Sequence, residues 1–136
     1  VNNFIVFMGQ EWMLFGMLIL LGYVFLWRER VKSGTPVSAH EVTRLVNAEA
    51  AVLLDVRDAA EFKAGHIVGA INIPYAKISA DPGQLEPHRS KIIVVVDKMG
   101  QHAGTVGRNL ARQGYQVRRL SGGIAEWQAQ SLPLVK

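Results

Sequence analysis

The chain has no cysteine. That excludes disulfides, cysteine-based zinc sites and any chemistry that runs through a thiol. Charge is sparse as well: only 19% of the 136 residues are Asp, Glu, Lys or Arg. The 15 basic residues exceed the 11 acidic ones by 4, too small an excess to imply nucleic acid before its location is known. His40, His88 and His102 stand at no spacing that suits a metal, and no cofactor is implied. Phosphate-loop, dinucleotide and hydrolase-elbow motifs are missing. Disorder is excluded in turn, because 49% of the residues are hydrophobic. At roughly 100–200 residues per domain, the length allows one globular domain and little more.

The apolar residues are concentrated at the N-terminal end. From Trp12 to Trp27 there is no charged side chain, and Phe4–Met8 lies just upstream. Residues 4–27, as a helix rising about 1.5 Å per residue, span roughly 36 Å, enough for a hydrocarbon core of about 30 Å. Trp12 and Trp27 suit the two interfaces, and Glu11 is close enough to the outer end to reach the headgroups. A small domain would struggle to bury a helix that is apolar on every face. A cleaved signal peptide fits poorly, since no basic segment precedes the run and no small-x-small site follows it. Residues 1–31 are therefore expected to form a single-pass transmembrane anchor, with the lipid bilayer contacting residues 4–27. Arg28, Arg30 and Lys32 follow the span and no Lys or Arg precedes it. By the positive-inside rule the C-terminal side is cytoplasmic.

Residues 32–36 read as a short linker of turn formers. Residues 33–136 hold 12 basic and 9 acidic residues, an ordinary mixed surface with no nucleic-acid stripe. Within residues 37–136, short apolar runs alternate with helical segments. Ser38 and Glu41 have capping-box spacing, with Val37 and Val42 placed as a hydrophobic staple, and that helix runs to about Asn47. Strands are expected at Val52–Asp55, Ala70–Ile73, Ile92–Val96 and Gln116–Leu120. Further helices are expected at Ala59–Ala64, Gly104–Gln113 and Ile124–Gln130. Tyr75–Arg89, with three prolines or glycines inside it, reads as irregular apart from one helical turn. Alternating strands and helices, with continuously apolar strands, predict an α/β domain whose central parallel β-sheet is flanked by helices.

Two motifs lie on this framework. Asp55, Arg57, Glu61, Phe62, Gly65, His66, Ile67, Gly69, Ala70, Asn72 and Pro74 match D-x-R, E-[FY] and G-H-I-x-G-A-x-N-[IL]-P in order. Gly122, Gly123, Ile124 and Trp127 match G-G-[IV]-x-x-W. The chain from about Val37 to Val135 resembles the rhodanese-like domains. One span followed by one such domain is similar to the single-span rhodanese-like proteins of bacterial inner membranes.

The residues themselves read as mostly structural. Arg57 and Glu61, four apart, are placed to pair across a strand-to-helix turn. His66, after a helix-ending glycine, suits a backbone bond at a turn better than a general base. Trp127 is expected as a core anchor whose N–H finds a partner.

The resemblance places chemistry in the loop after Ile92–Val96, where ligands of open α/β sheets bind. Rhodaneses carry there a cysteine followed by backbone N–H groups that favour an anion, in a loop C-x-x-G-x-[RS]. Laid on Ala103, Gly104, Thr105, Val106, Gly107 and Arg108, this pattern puts Ala103 at the nucleophile and leaves a candidate anion-binding loop. Sulfur transfer through a cysteine persulfide has no atom to carry it there, since Thr105 and His102 cannot replace a thiol. Three functions follow. One is a non-catalytic module binding another membrane or membrane-associated protein, such as insertion, translocation or transport machinery. Another is a sulfurtransferase whose nucleophilic cysteine is replaced by Ala103. The third is a small-anion sensor. The span and the missing thiol favour the first.

Overall fold

The computed structural model describes residues 2–32 and 34–136. It divides into two compact units, Val1–Val31 and Lys32–Lys136. In the first, helix α1 runs over Asn2–Lys32, about 46 Å at 1.5 Å per residue. Its stretch Asn2–Arg28 is long and apolar enough to cross a membrane, and none of that stretch is buried within the protein. The side chains of Arg30 and Lys32 in the basic flank, and Ser33 in the expected linker, lie outside the described residues.

The second unit begins sooner than the linker reading implies. Thr35–Val37 forms strand β1, with Pro36 in it. Proline is tolerated because β1 is an edge strand, paired only to β5. The elements that follow are α2 (Ala39–Asn47), β2 (Ala51–Asp55), α3 (Ala59–Ala64), β3 (Ile71–Asn72), α4 (Tyr75–Ala80), β4 (Ile92–Val96), α5 (Ala103–Arg112), β5 (Val117–Leu120) and α6 (Gly123–Ala129). The expected irregular segment is more ordered than its composition suggests. It holds α4 and then a 3₁₀ stretch over Pro82–His88, started by Asp81, whose side chain accepts from the Gly83 N–H at 3.1 Å. Burial of Ile78 and Leu85 pulls these turns onto the sheet.

All five strands are parallel, in the order β1-β5-β4-β2-β3. The sheet is covered on both faces, which is why β4 is β-branched throughout. Ile93 and Val95 face a core with Ile78, Leu85, Val106 and Leu110, while Val94 and Val96 face one with Val42, Leu120, Ile124 and Trp127. Ser38 caps α2 by accepting from the Glu41 N–H at 3.2 Å, and Val37 and Val42 share one core cluster. The Glu41 side chain does not close the capping box. It pairs with Arg44 on the exposed face.

Candidate functional site

The strand order turns back on itself between β2 and β4. The chain leaves β2 outward to β3, then returns to β4 on the other side, so the connections diverge and leave a crevice at the carboxyl ends. Two segments form its walls, the turn after β2 and the loop after β4.

The turn after β2 is held by an internal ion pair. Asp55 is fully buried, and its carboxylate accepts from Arg57 Nε at 3.0 Å and Nη2 at 2.8 Å, as well as from the Arg57 backbone N–H at 3.0 Å. The same Nη2 donates to the Gly65 carbonyl at 2.8 Å. Asn72 Nδ2 donates to the carbonyls of Asp55 at 3.1 Å and Arg57 at 3.0 Å. The spacing D-x-R…G…N is thus one closed hydrogen-bond network. Arg57 pairs with Asp55 and not with Glu61, correcting the sequence expectation. Residues two apart lie on the same side of a strand end, whereas the four-residue rule needs a helix already formed. Glu61 is exposed at the rim.

His66 is tied to backbone. Its Nδ1 lies 2.8 Å from the Phe62 carbonyl and its ring stacks on Phe62 at 3.8 Å. Its main chain bridges Val135 in both directions. Trp127 is buried, with Nε1 donating to the Pro133 carbonyl at 3.1 Å.

The loop after β4 differs from the sequence reading. Ala103–Arg108 is not a loop: those six residues open helix α5. Ala103 is 1% exposed, and its methyl packs into the core with Val106 and Leu110. The connecting loop is Asp97–His102. The C-x-x-G-x-[RS] spacing falls there on Asp97, Gly100 and His102. Gly100 has φ +93°, a conformation that requires the glycine of the pattern. On that spacing the position that the resemblance gives to a nucleophile falls on Asp97, six before Ala103.

Asp97 braces the loop. Its side chain is 3% exposed and folds back over its own loop. One carboxylate oxygen accepts from the Gly100 N–H; the other accepts from His102 N–H at 2.7 Å and Ala103 N–H at 3.2 Å. Consecutive N–H groups at a helix start form an anion cradle, and a tethered carboxylate fills this one. Helix α6 supports the loop from behind. The N–H groups of Ile124 and Ala125 donate to the carbonyls of Asp97 at 2.8 Å and Lys98 at 3.0 Å. A Cβ at Gly123 would lie 2.4 Å from the Asp97 carbonyl oxygen, so the second glycine of G-G-[IV]-x-x-W is a contact requirement.

Two cavities flank the loop, of about 360 and 290 Å³, with Arg57, Glu61 and Lys98 forming the saddle between them. Met99, 56% exposed, lines the larger, and His102, tilted against Tyr75 at 4.6 Å, lines the smaller. Among the described residues no group of three potential ligands could hold a metal ion.

The chain is similar to known proteins in sequence and fold. The model of the rhodanese-like domain matches residues 38–130. YibN of Escherichia coli (strain K12) is 39% identical over 102 residues, covering 74% of this chain and 71% of YibN. A sulfurtransferase of Allochromatium vinosum is 31% identical over 93 residues, covering 68% of this chain and 85% of that protein. The crystal structure of a rhodanese-related protein from Thermoplasma volcanium superimposes with a TM-score of 0.68 at 27% identity, covering 74% of this chain and 97% of that one. With its five-stranded parallel sheet, its Asp55–Arg57–Asn72 network and its helix-opening loop, this chain belongs to the family of rhodanese-like domains.

Proposed function

We propose that the chain is a membrane-anchored rhodanese-like module that binds another protein instead of transferring sulfur. The observation that carries this reading is Asp97, whose carboxylate occupies the cradle where a thiol nucleophile would otherwise stand. The lack of any cysteine agrees with it. An anion-sensing role is less well supported, because three donors of the loop are already committed to that carboxylate.

Helix α1 serves as the anchor in this reading. The domain lies at the cytoplasmic face of a bacterial inner membrane, as the basic flank after Trp27 argues. A tether of this kind confines encounters to the membrane plane, which favours a membrane or membrane-associated partner, with insertion, translocation or transport machinery as candidates. Protease added to spheroplasts should leave the C-terminal domain intact, and its digestion without lysis would overturn the orientation.

The catalytic question has a direct test. The full chain should form no thiocyanate from thiosulfate and cyanide, and formation above a heat-denatured control would refute the non-catalytic reading. A second reading, a sulfurtransferase lacking only its thiol, draws on the sulfurtransferase among the relatives. Geometry distinguishes the two positions at which the thiol could be restored. Asp97→Cys puts sulfur among the loop donors and is expected to yield thiocyanate, whereas Ala103→Cys buries it in the core and is not.

A further inference from the structure

Outside α1, the large hydrophobic side chains left exposed among the described residues are Val68, Met99 and Val135, at 59%, 56% and 38%. All three border one segment, Leu132–Lys136. Met99 lines the cavity of about 360 Å³ beside the loop, and Leu134 lines it too. Val68 lines another cavity, of about 250 Å³ between α2 and α6, together with Leu132 and Pro133. The segment crosses from the end of α6 to the turn after α3. Val135 and His66 exchange N–H···O bonds at 2.7 and 2.8 Å, and the Pro133 carbonyl accepts from Trp127 Nε1. Leu132 and Leu134, two residues apart, both pack on the core cluster of Trp127 but stay half-buried. The hinge is Ser131, at φ +58°. That left-handed conformation ends α6 as a glycine commonly does, with the Ser131 and Leu132 N–H groups donating to the Gln128 and Trp127 carbonyls, and it is strained for serine. One bridge, two half-buried leucines, a strained hinge and a cavity on either side describe a segment held less firmly than the strands of the sheet.

We infer that Leu132–Lys136 is a displaceable strap, and that the groove beneath it docks an extended segment of a partner protein, a step that rests on the reading of the domain as a protein-binding module. The strap itself shows what the groove accepts. Apolar side chains two residues apart enter the groove, and the backbone beyond them pairs with the N–H and carbonyl of His66. A partner segment with the same pattern takes the same bonds, in the manner of a strand added to a free edge. A proline between the two apolar residues is tolerated, since Pro133 has no N–H to lose. With the strap lifted, the two cavities join along α6 into one apolar groove, with Met99 and Val68 at its ends. The strap competes with the partner, so apparent affinity falls by the fraction of time the groove is covered.

The experiment uses the full chain in detergent micelles, with a fluorescent peptide of the sequence Ser131–Lys136 as probe. Leu134→Ala loosens the strap while the peptide keeps its leucine, so the peptide should bind roughly tenfold more tightly than to the wild type. A clip provides the opposite perturbation. A Cβ on Gly65 would lie 3.6 Å from Leu134 Cβ, a separation that suits a disulfide. Gly65→Cys with Leu134→Cys, in a chain that has no other cysteine, should lose peptide binding when oxidised and regain it when reduced. Amide exchange of the wild type needs no variant. The His66 and Val135 N–H groups, bonded across the strap, should exchange on the order of 100-fold faster than those of β4. Protection equal to that of β4 overturns the strap. Equal peptide binding to the oxidised and reduced forms, or none to Leu134→Ala, overturns the groove. A disulfide-linked dimer in place of a clipped monomer overturns the partner protein as occupant and gives the groove to a second copy. The protein-binding reading fails by a different measurement, thiocyanate formation by the wild type.

Discussion

Replacing Asp97 by alanine should open the cradle and destabilise the domain by a calculable amount. Three N–H groups lose their acceptor. A buried donor left unpaired costs about 1–3 kcal/mol. Water can reach the donors at Gly100 and His102, beside the exposed Gln101, so each costs about 1 kcal/mol. The Ala103 N–H is buried and costs about 1–2 kcal/mol. The variant no longer has to desolvate a carboxylate on folding, which offsets part of this, about 1 kcal/mol net of the bonds already counted. The net expectation is a loss of about 2–3 kcal/mol, or roughly 10–20 °C in Tm for a domain of this size. Asp97→Asn keeps one acceptor and turns an NH₂ toward the remaining donors, so about half that loss is expected. Urea unfolding should show a lower midpoint with an unchanged slope.

A second arm of the same experiment tests the reason for the loss. Sulfate at 0.1 M, binding an opened cradle with a Kd of about 10 mM, adds about 1.4 kcal/mol to Asp97→Ala. Sulfate also stabilises proteins generally by exclusion from their surfaces, so the wild type sets the baseline. The difference between the two proteins is therefore the quantity read. If Asp97→Ala costs less than about 0.5 kcal/mol, or if both proteins gain equally from sulfate, the carboxylate is not what fills the cradle.

Other substitutions test the surrounding framework. Arg57→Ala leaves Asp55 buried without its cation and should cost about 3–5 kcal/mol in urea unfolding, with Arg57→Lys intermediate because it keeps the charge and loses the fork. Gly123→Ala combines φ +62° with a clash against the Asp97 carbonyl, so a loss of at least about 2–3 kcal/mol is expected, whereas Ala125→Gly, at an exposed position in the same turn of α6, should cost about 1 kcal/mol. Burial, helped by the hydrogen bond to Glu86, holds the Tyr115 phenol above its ordinary pKa. The native state then keeps a proton that the unfolded chain releases from about pH 10 upward. That contribution is complete below pH 10 and is lost as pH rises toward the native value. Urea midpoints of the wild type should fall more steeply above pH 10 than those of Tyr115→Phe.

Much of the fold was legible because each strong local signal coincides with a tertiary demand. Ile92–Val96 is β-branched because both of its faces are covered, and Ser38 stands where α2 needs an acceptor. Thr35–Val37 carried no such signal: a three-residue edge strand containing proline looks like a linker until β5 is there to pair with it. The 3₁₀ turns over Pro82–His88 owe their order to Leu85, whose burial no spacing within the segment reveals. The sequence reading laid the loop pattern on Ala103–Arg108, whereas the loop after β4 is Asp97–His102. An arginine five positions beyond a candidate nucleophile is a weak marker, because α5 can present Arg108 at that distance by chance. Gly100 is the stronger marker, since a loop that leaves a strand and must open a helix within six residues needs a positive φ there. The chain has no cysteine wherever the loop is placed. Only the correct register shows that a carboxylate has taken over the cradle, and that changes an open anion site into a closed, internally braced surface.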